Sequence, residues 1–185
     1  MKYFEKINGD RIYLSPISVE DKEIYTKWVN DKSVAENIGN YYKVISLSVE
    51  EEKIKQMEKK YSFSIVLKEK NELIGYVSLM DINFINQTAT LGIFIGDEKN
   101  RNKGYGKEAI KLILNYGFNY LNINNIMLHV YSFNKKAINL YEKIGFKKIG
   151  VRRDSIYSNG LFYDEIFMDI LKSEFNDVKD FIFTD

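Results

Sequence analysis

The chain has 185 residues, 45% apolar and 15% aromatic, enough for a single domain to enclose a substantial core. Its 27 basic and 26 acidic residues leave a formal charge of +1, so no global field draws it to nucleic acid or an anionic membrane, and any anion must be held locally. With no cysteine it has neither a disulfide framework nor thiol chemistry, and the opening MKYFEKINGDRIYL lacks the apolar core of a signal peptide, so the expected location is the cytoplasm.

No apolar run reaches the roughly 18 residues of a membrane span. One proline and no Ser/Gly-rich linker predict one domain over residues 1–185, a core of 1–172 followed by an extension, SEFNDVKDFIFTD, over 173–185. That extension reads as a terminal helix or as an interface segment compatible with a homo-oligomer. RIYLSPI, residues 11–17, alternates as a strand with Pro16 at its exit. Ser18 and Asp21 resemble a capping box ahead of a helix that places Ile24, Tyr25, Trp28 and Val29 at helical spacing. A second box, Ser48 with Glu51, opens a segment through Met57. Glu50, Glu51 and Glu52 there read either as a cation site or as charge complementing a helix N-terminus.

From Ser62 the pattern turns to β: SFSIVL, LIGYVSLMDI and TATLGIFIG form an expected antiparallel meander. Residues 91–95 are apolar or glycine on both faces, which predicts a central strand covered on both sides. Residues 104–121 form a helix with two apolar stripes, Ala109, Ile113, Tyr116 and Tyr120 beside Ile110, Leu114, Phe118 and Leu121. NIMLHVYS is a strand, residues 134–146 a short helix stopping at Gly145, and the segment from Gly150 a hairpin turning at Asn159-Gly160. The order β, α, α, β, β, β, α, β, α, β, β predicts an α/β (α+β) domain around one mixed sheet.

The chemistry concentrates in RNKGYGKEA, residues 101–109. Lys99, Arg101, Lys103 and Lys107, with no acid between 99 and 107, precede or open a helix whose first N–H groups have no intrahelical partner. Gly104 and Gly106 let backbone approach phosphate oxygens. Alone, the stretch fits an anion cradle and a glycine-requiring surface turn equally. Gly104 to Ala109 also matches G-x-G-x-x-A, but a dinucleotide fingerprint follows its strand directly and needs an acid about 20 residues on. Here no Asp or Glu occurs from 109 to 141, and no Walker motif is present. One compact basic patch without a groove of stacking aromatics excludes nucleic-acid binding, and no metal is implied.

R-x-x-G-x-G/A after a central strand, together with NKKAINLYEKIGF at 134–146, resembles the GNAT superfamily of acetyl-CoA-dependent N-acetyltransferases. GYVSLMDINFINQTATLGIFIG, GYGKEAIKLILNYGF and IYSNGLFYDEIFMDIL are most similar to its ribosomal-protein N-terminal and spermidine N-acetyltransferase branch. The resemblance implies a mixed, mostly antiparallel sheet of about seven strands with about four helices packed on it. It implies acetyl transfer from acetyl-CoA to a primary amine, a protein N-terminal α-amine or a small amine such as a polyamine or amino sugar, in a ternary complex. It also implies that backbone groups of Ile93, Phe94 and Ile95 hold the pantetheine arm, and that Arg101, Asn102, Lys103, Gly104, Tyr105, Gly106 and Lys107 hold the pyrophosphate. Asn134, Lys136 and Ala137 would meet the cofactor at the later helix, and Tyr141 would protonate the departing thiolate.

The branch commonly carries a Glu two residues before the strand glycine, where ATLG has Thr90. Threonine is no base, so Asp81 is the expected substitute, with Glu36 behind it. The missing glutamate keeps a second function class open, a non-catalytic domain that senses acyl-CoA. Alternation with Leu128 and Val130 puts the lone histidine, His129, on the other face of its strand beside Tyr131, which reads as a structural histidine. Arg152, Arg153, Asp154, Asp164 and Glu165 read as cross-strand charge pairs or as acceptor contacts.

Overall fold

The computed structural model describes residues 2–176. A short hairpin, β1 (Ile7–Asn8) and β2 (Ile12–Pro16), leads through a 3-10 turn at Val19–Asp21 into α1 (Lys22–Asn30), α2 (Lys32–Ala35) and α3 (Leu47–Met57). The meander β3 (Tyr61–Leu67), β4 (Glu72–Asn83) and β5 (Thr88–Ile95) follows, then α4 (Tyr105–Asn115), which runs on as a π turn over Tyr116–Tyr120. β6 (Asn125–Tyr131), α5 (Lys135–Ile144) and the hairpin β7 (Lys147–Ser158) and β8 (Leu161–Leu171) complete the described chain. The hairpin turns where its sequence requires, with Asn159 and Gly160 at φ 52° and 83°.

All eight strands join one sheet in the order β1-β2-β3-β4-β5-β6-β8-β7, antiparallel everywhere except between β5 and β6. This is the mixed, mostly antiparallel sheet expected, with one strand more because β1 is only two residues long. The first helical region divides at Asp31, whose side chain caps α2 through the Ser33 N–H at 2.9 Å, giving five α-helices among the described residues. The second capping box is displaced. Ser46, not Ser48, caps α3 through the Val49 N–H at 3.4 Å. The carboxylate of Asp21 does not return to Ser18, because it takes the Tyr3 hydroxyl at 3.0 Å and the Lys2 ammonium at 2.5 Å.

Helix α4 is buried along both of its apolar stripes. Ala109, Ile110, Leu112, Ile113 and Leu114 are fully enclosed against Leu14, Ile65, Leu79, Leu128 and Ile170 from five strands. Each of the isoleucine and leucine side chains stabilises the fold by roughly 1.5–3 kcal/mol. The opposite face carries a second core, in which Tyr25, Trp28 and Ile54 from α1 and α3 pack on Tyr13, Val66 and Leu73. That core reaches Phe94 of β5 and includes no residue of β6, β7 or β8. The acidic run of α3 holds no cation site among the described residues. Glu51 pairs with Lys22 and Lys55 at 2.6 and 2.8 Å, and Glu50 with Lys53 at 3.4 Å.

Of the C-terminal extension, Lys172–Glu174 form a 3-10 turn and Phe175 packs on Phe118. Residues 177–185 lie outside the described residues, and with them most of the expected terminal helix or interface segment.

Candidate active site

The parallel junction is short. β5 and β6 pair at Thr88 with Asn125, Ala89 with Ile126 and Thr90 with Met127, and then diverge. β5 stays bonded to β4 as far as Ile95, and β6 to β8 as far as Tyr131. Residues 92–95 are therefore half-buried and not covered on both sides as the sequence predicts. The divergence opens a cleft of about 1130 Å³ that runs from the α4 N-terminus, between β5 and α5, to the end of β6.

Backbone direction follows from one contact. Arg101 Nε donates to the Ile95 carbonyl at 3.1 Å, outside the β4 ladder. Strand alternation turns the N–H and C=O of Ile93 the same way, toward the cleft, and those of Phe94 toward β4. Of the three expected arm-binding residues, then, Ile93 presents free backbone, Ile95 shares its carbonyl with Arg101, and Phe94 contributes its ring to the second core.

At the far end of the cleft, Asn102 and Gly104 are both left-handed, at φ 59° and 87°, and Gly104 is the N-cap of α4. This curl delivers the first-turn N–H groups of Tyr105, Gly106 and Lys107, which lack intrahelical acceptors, to the cleft. Gly104, Gly106, Asn102, Tyr105 and Lys107 all line it. Lys103 does not: its carbonyl accepts from Arg11 Nη1 at 2.9 Å and its side chain is exposed away from the wall. Arg101 lines the cleft, yet its guanidinium is engaged by the Ile95 and Gly96 carbonyls and by Ser33 Oγ at 2.9 Å. It fixes the loop to the end of β5, and Lys99 is drawn off by Glu72 at 2.8 Å.

Arg11 carries the loop from below, and the sequence gives no sign of it. Its guanidinium lies 4.9 Å from the Tyr105 ring centroid and pairs with Glu108 at 3.2 Å. Glu108 also accepts the backbone N–H groups of Arg11 and Ile12 at 2.8 and 3.2 Å. These partners stand 97 positions apart, beyond the reach of any local pattern.

On the other wall, α5 has no fully buried residue even though Ala137, Ile138, Leu140, Tyr141 and Ile144 pack on the main core. Asn134 caps this helix by accepting the Ala137 N–H at 3.1 Å, which leaves its amide nitrogen as a donor at the cleft. Lys136, Ala137 and Tyr141 line the same wall. Burial pushes the Tyr141 phenol up to about 12, so the hydroxyl stays protonated across ordinary pH.

At the mouth beyond the junction stand Tyr76, Met80, Glu36, His129 and Tyr131. Asp81 is not among the lining residues. A register break between Met80 and Asn83 leaves it at φ 50° and exposed. Glu36 does line the cleft, held by Asn159 Nδ2 at 3.2 Å and Lys32 at 3.7 Å. His129 is on the face that alternation assigns it, but that face is the open one. Its Nδ1 lies 2.6 Å from a Glu165 carboxylate oxygen.

The assembled site has a curled loop and helix N-terminus with Lys107 at one end, an unpaired strand edge, half-buried apolar surface and a phenol along its length, and an imidazole at its mouth. It suits an elongated ligand with a phosphate end and an amide-bearing arm. Residues 11–147 match the family model described as an acetyltransferase (GNAT) domain. A spermidine N(1)-acetyltransferase of Vibrio cholerae is 39% identical over 103 residues, 56% of this chain and 59% of that protein; the chain thus spans less than two thirds of that relative. A prophage-derived uncharacterized N-acetyltransferase of Bacillus subtilis is 29% identical over 90% of this chain and 93% of its own. The crystal structure of the V. cholerae spermidine N-acetyltransferase with CoA and spermine superposes with a TM-score of 0.79 at 28% identity, covering 89% of this chain and 97% of that one. On the matched family model, the sheet order and the cleft opened at its one parallel junction, the chain belongs to the GNAT family of acetyl-CoA-dependent acetyltransferases.

Proposed function

We propose that the protein transfers the acetyl group of acetyl-CoA to a primary amine by direct attack within a ternary complex. The observation that carries this reading is the divergence of β5 from β6 after Thr90 and Met127, which leaves a strand edge, a helix N-terminus and Tyr141 along one continuous cleft. The N–H groups of Tyr105, Gly106 and Lys107, with the Lys107 ammonium, bind the pyrophosphate. Ile93 pairs with the arm as an added strand would, and the Asn134 amide donates to it. Acetyl-CoA supplies the thioester whose carbonyl carbon the amine attacks.

Tyr141 lies on the wall of that channel. Its phenol, at about 12, is a weaker acid than a thiol near 8.5 by the cysteine reference, and full proton transfer to a thiolate runs uphill by roughly 5 kcal/mol. Its contribution is therefore a hydrogen bond that strengthens as charge develops on the departing sulfur. The acceptor enters from the α1–α3 side, where Glu36 and the aromatic rings of Tyr76 and Tyr131 form a wall suited to a cation. A polyamine is the leading acceptor, supported by the V. cholerae relative and its spermine complex. A protein N-terminus is the second, a similarity also seen with a putative ribosomal N-acetyltransferase of B. subtilis at 31% identity.

Thiol release from acetyl-CoA with a panel of polyamines, amino sugars and short peptides tests the reading. Turnover with at least one amine is expected. Acetyl-CoA binding without turnover on any amine would identify a sensing domain instead.

A further inference from the structure

The chain contains one histidine, and the structure puts it on the wall of the acceptor side of the cleft. His129 lies two residues past the last β5–β6 pair, on the same face as Met127, whose parallel partner is Thr90. Its side chain retains 46% exposure, whereas its partner Glu165 has 12%. Phe167, cross-strand from His129 on β8, stacks on the imidazole at 6.5 Å and 20°. Tyr131 abuts its edge at 6.5 Å and 82°. Two rings and one carboxylate thus fix an imidazole at a cleft wall. Such a constellation exceeds what a solvent-facing strand position needs, because Glu165 gives up hydration to stand there.

We infer that His129 is the group that takes the proton from the acceptor ammonium, with Glu165 as its positioning partner, an inference that rests on the acetyltransferase reading above. The Glu165 carboxylate accepts Nδ1–H, which makes Nε2 the lone-pair nitrogen of the neutral ring. Nε2 accepts one proton from R–NH3+. The freed amine lone pair forms the C–N bond to the thioester carbonyl carbon, the C–S bond breaks with its electron pair on sulfur, and the second amine proton reaches the thiolate through solvent while the Tyr141 hydroxyl hydrogen-bonds the sulfur. The imidazolium returns its proton to water through the open mouth, and one proton is released per turnover.

The charged and titratable groups around the imidazole are Glu165 from β8, Tyr131 from its own strand, and Arg152 of β7, which stands cross-strand from Glu165. Glu36, Lys53 and Lys136 share the cleft wall from α2's C-terminus, α3 and α5.

The uniqueness of the histidine makes the test specific. His129→Gln should lower kcat/KM for an alkyl amine about 100-fold while the KM for acetyl-CoA stays within about twofold. For an aniline or methoxyamine acceptor, already neutral at pH 7, the loss should shrink below about tenfold. Glu165→Gln should lower kcat on an alkyl amine while sparing the aniline, since the ring loses the carboxylate that fixes its tautomer and orientation. The wild type offers a control on folding: diethyl pyrocarbonate should abolish alkyl-amine turnover as one histidine reacts, with acetyl-CoA binding retained and hydroxylamine restoring activity. Full activity after carbethoxylation, or equal losses on alkyl amine and aniline in His129→Gln, would overturn the assignment while leaving the acetyltransferase reading intact. A wild type that binds acetyl-CoA but acetylates no amine would overturn both.

Discussion

The Trp28 indole packs on Gly96, so close that a Cβ built on residue 96 would overlap its ring atoms Cε2, Cδ2 and Nε1. The same indole donates Nε1–H to Asp97 at 3.1 Å, and the Gly96 N–H bonds to the Ile74 carbonyl at 2.9 Å. The glycine ending β5 therefore serves helix packing, and through it holds the strand edge from which the glycine loop ahead of α4 departs. Gly96→Ala should destabilise the fold by about 1–3 kcal/mol through forced displacement of the ring and weaken acetyl-CoA binding. Urea denaturation and calorimetric titration of the same variant check both effects.

Glu108 satisfies the Arg11 and Ile12 backbone N–H groups and the Arg11 guanidinium together. Glu108→Ala leaves the Arg11 donors to water and the Ile12 N–H without its partner, and the expected cost is about 0.5–1.5 kcal/mol of stability, with a rise in the acetyl-CoA Kd because the loop loses its support at Lys103. Glu108→Gln keeps an acceptor and should cost less. An unchanged Kd in the alanine variant would show that Arg11 does not hold the loop.

Tyr141→Phe removes only the hydroxyl from a ring packed edge-on against Phe146 at 5.8 Å. Its kcat should fall by about 10–100-fold, the scale of one lost charge-stabilising donor, with the acetyl-CoA Kd unchanged. Equal falls in kcat and in cofactor affinity would point to a packing role instead.

Alkali should unfold the protein along a defined course. Burial raises the phenols of Tyr3 and Tyr141 to about 12 from an ordinary value of 10, and that of Tyr25 further. Between those values the unfolded chain has lost protons that the folded chain retains, so stability falls as pH rises through 10 to 12 and is unaffected by these groups below 10. Phenolate absorbance followed alongside circular dichroism should show the buried phenols of Tyr3, Tyr25 and Tyr141 ionising only as secondary structure collapses.

Much of this architecture was legible because its signals are local. Alternation in SFSIVL and LIGYVSLMDI, the twin stripes of α4 and Asn159-Gly160 each specify an element through neighbours a few residues away. The glycine curl before α4 and the cap of α5 were legible for the same reason. What escaped depends on partners brought together by the fold. Arg11 meets Glu108 across 97 positions, Arg101 is occupied by carbonyls only six and five residues back because the chain doubles on itself there, and Asp81 is turned outward by a register break that no side-chain pattern announces. His129 marks the limit of periodicity. Alternation assigned its face correctly, but no periodicity states which face a neighbouring strand leaves open.

The three residue pairs joining β5 to β6 also make this, apart from the two-residue edge strand β1, the line along which the sheet is least stitched. Helix α4 with its core, the Asn159–Glu36 hydrogen bond and the Gln87 carbonyl, which accepts from Asn124 and Asn125, span the halves on either side, while a ligand lodged between them would add a rung to each. Bound coenzyme should act as a suture, slowing amide hydrogen exchange in β6 and α5 more than in the meander, so that the place where the molecule comes apart most readily is also the place that its substrate repairs.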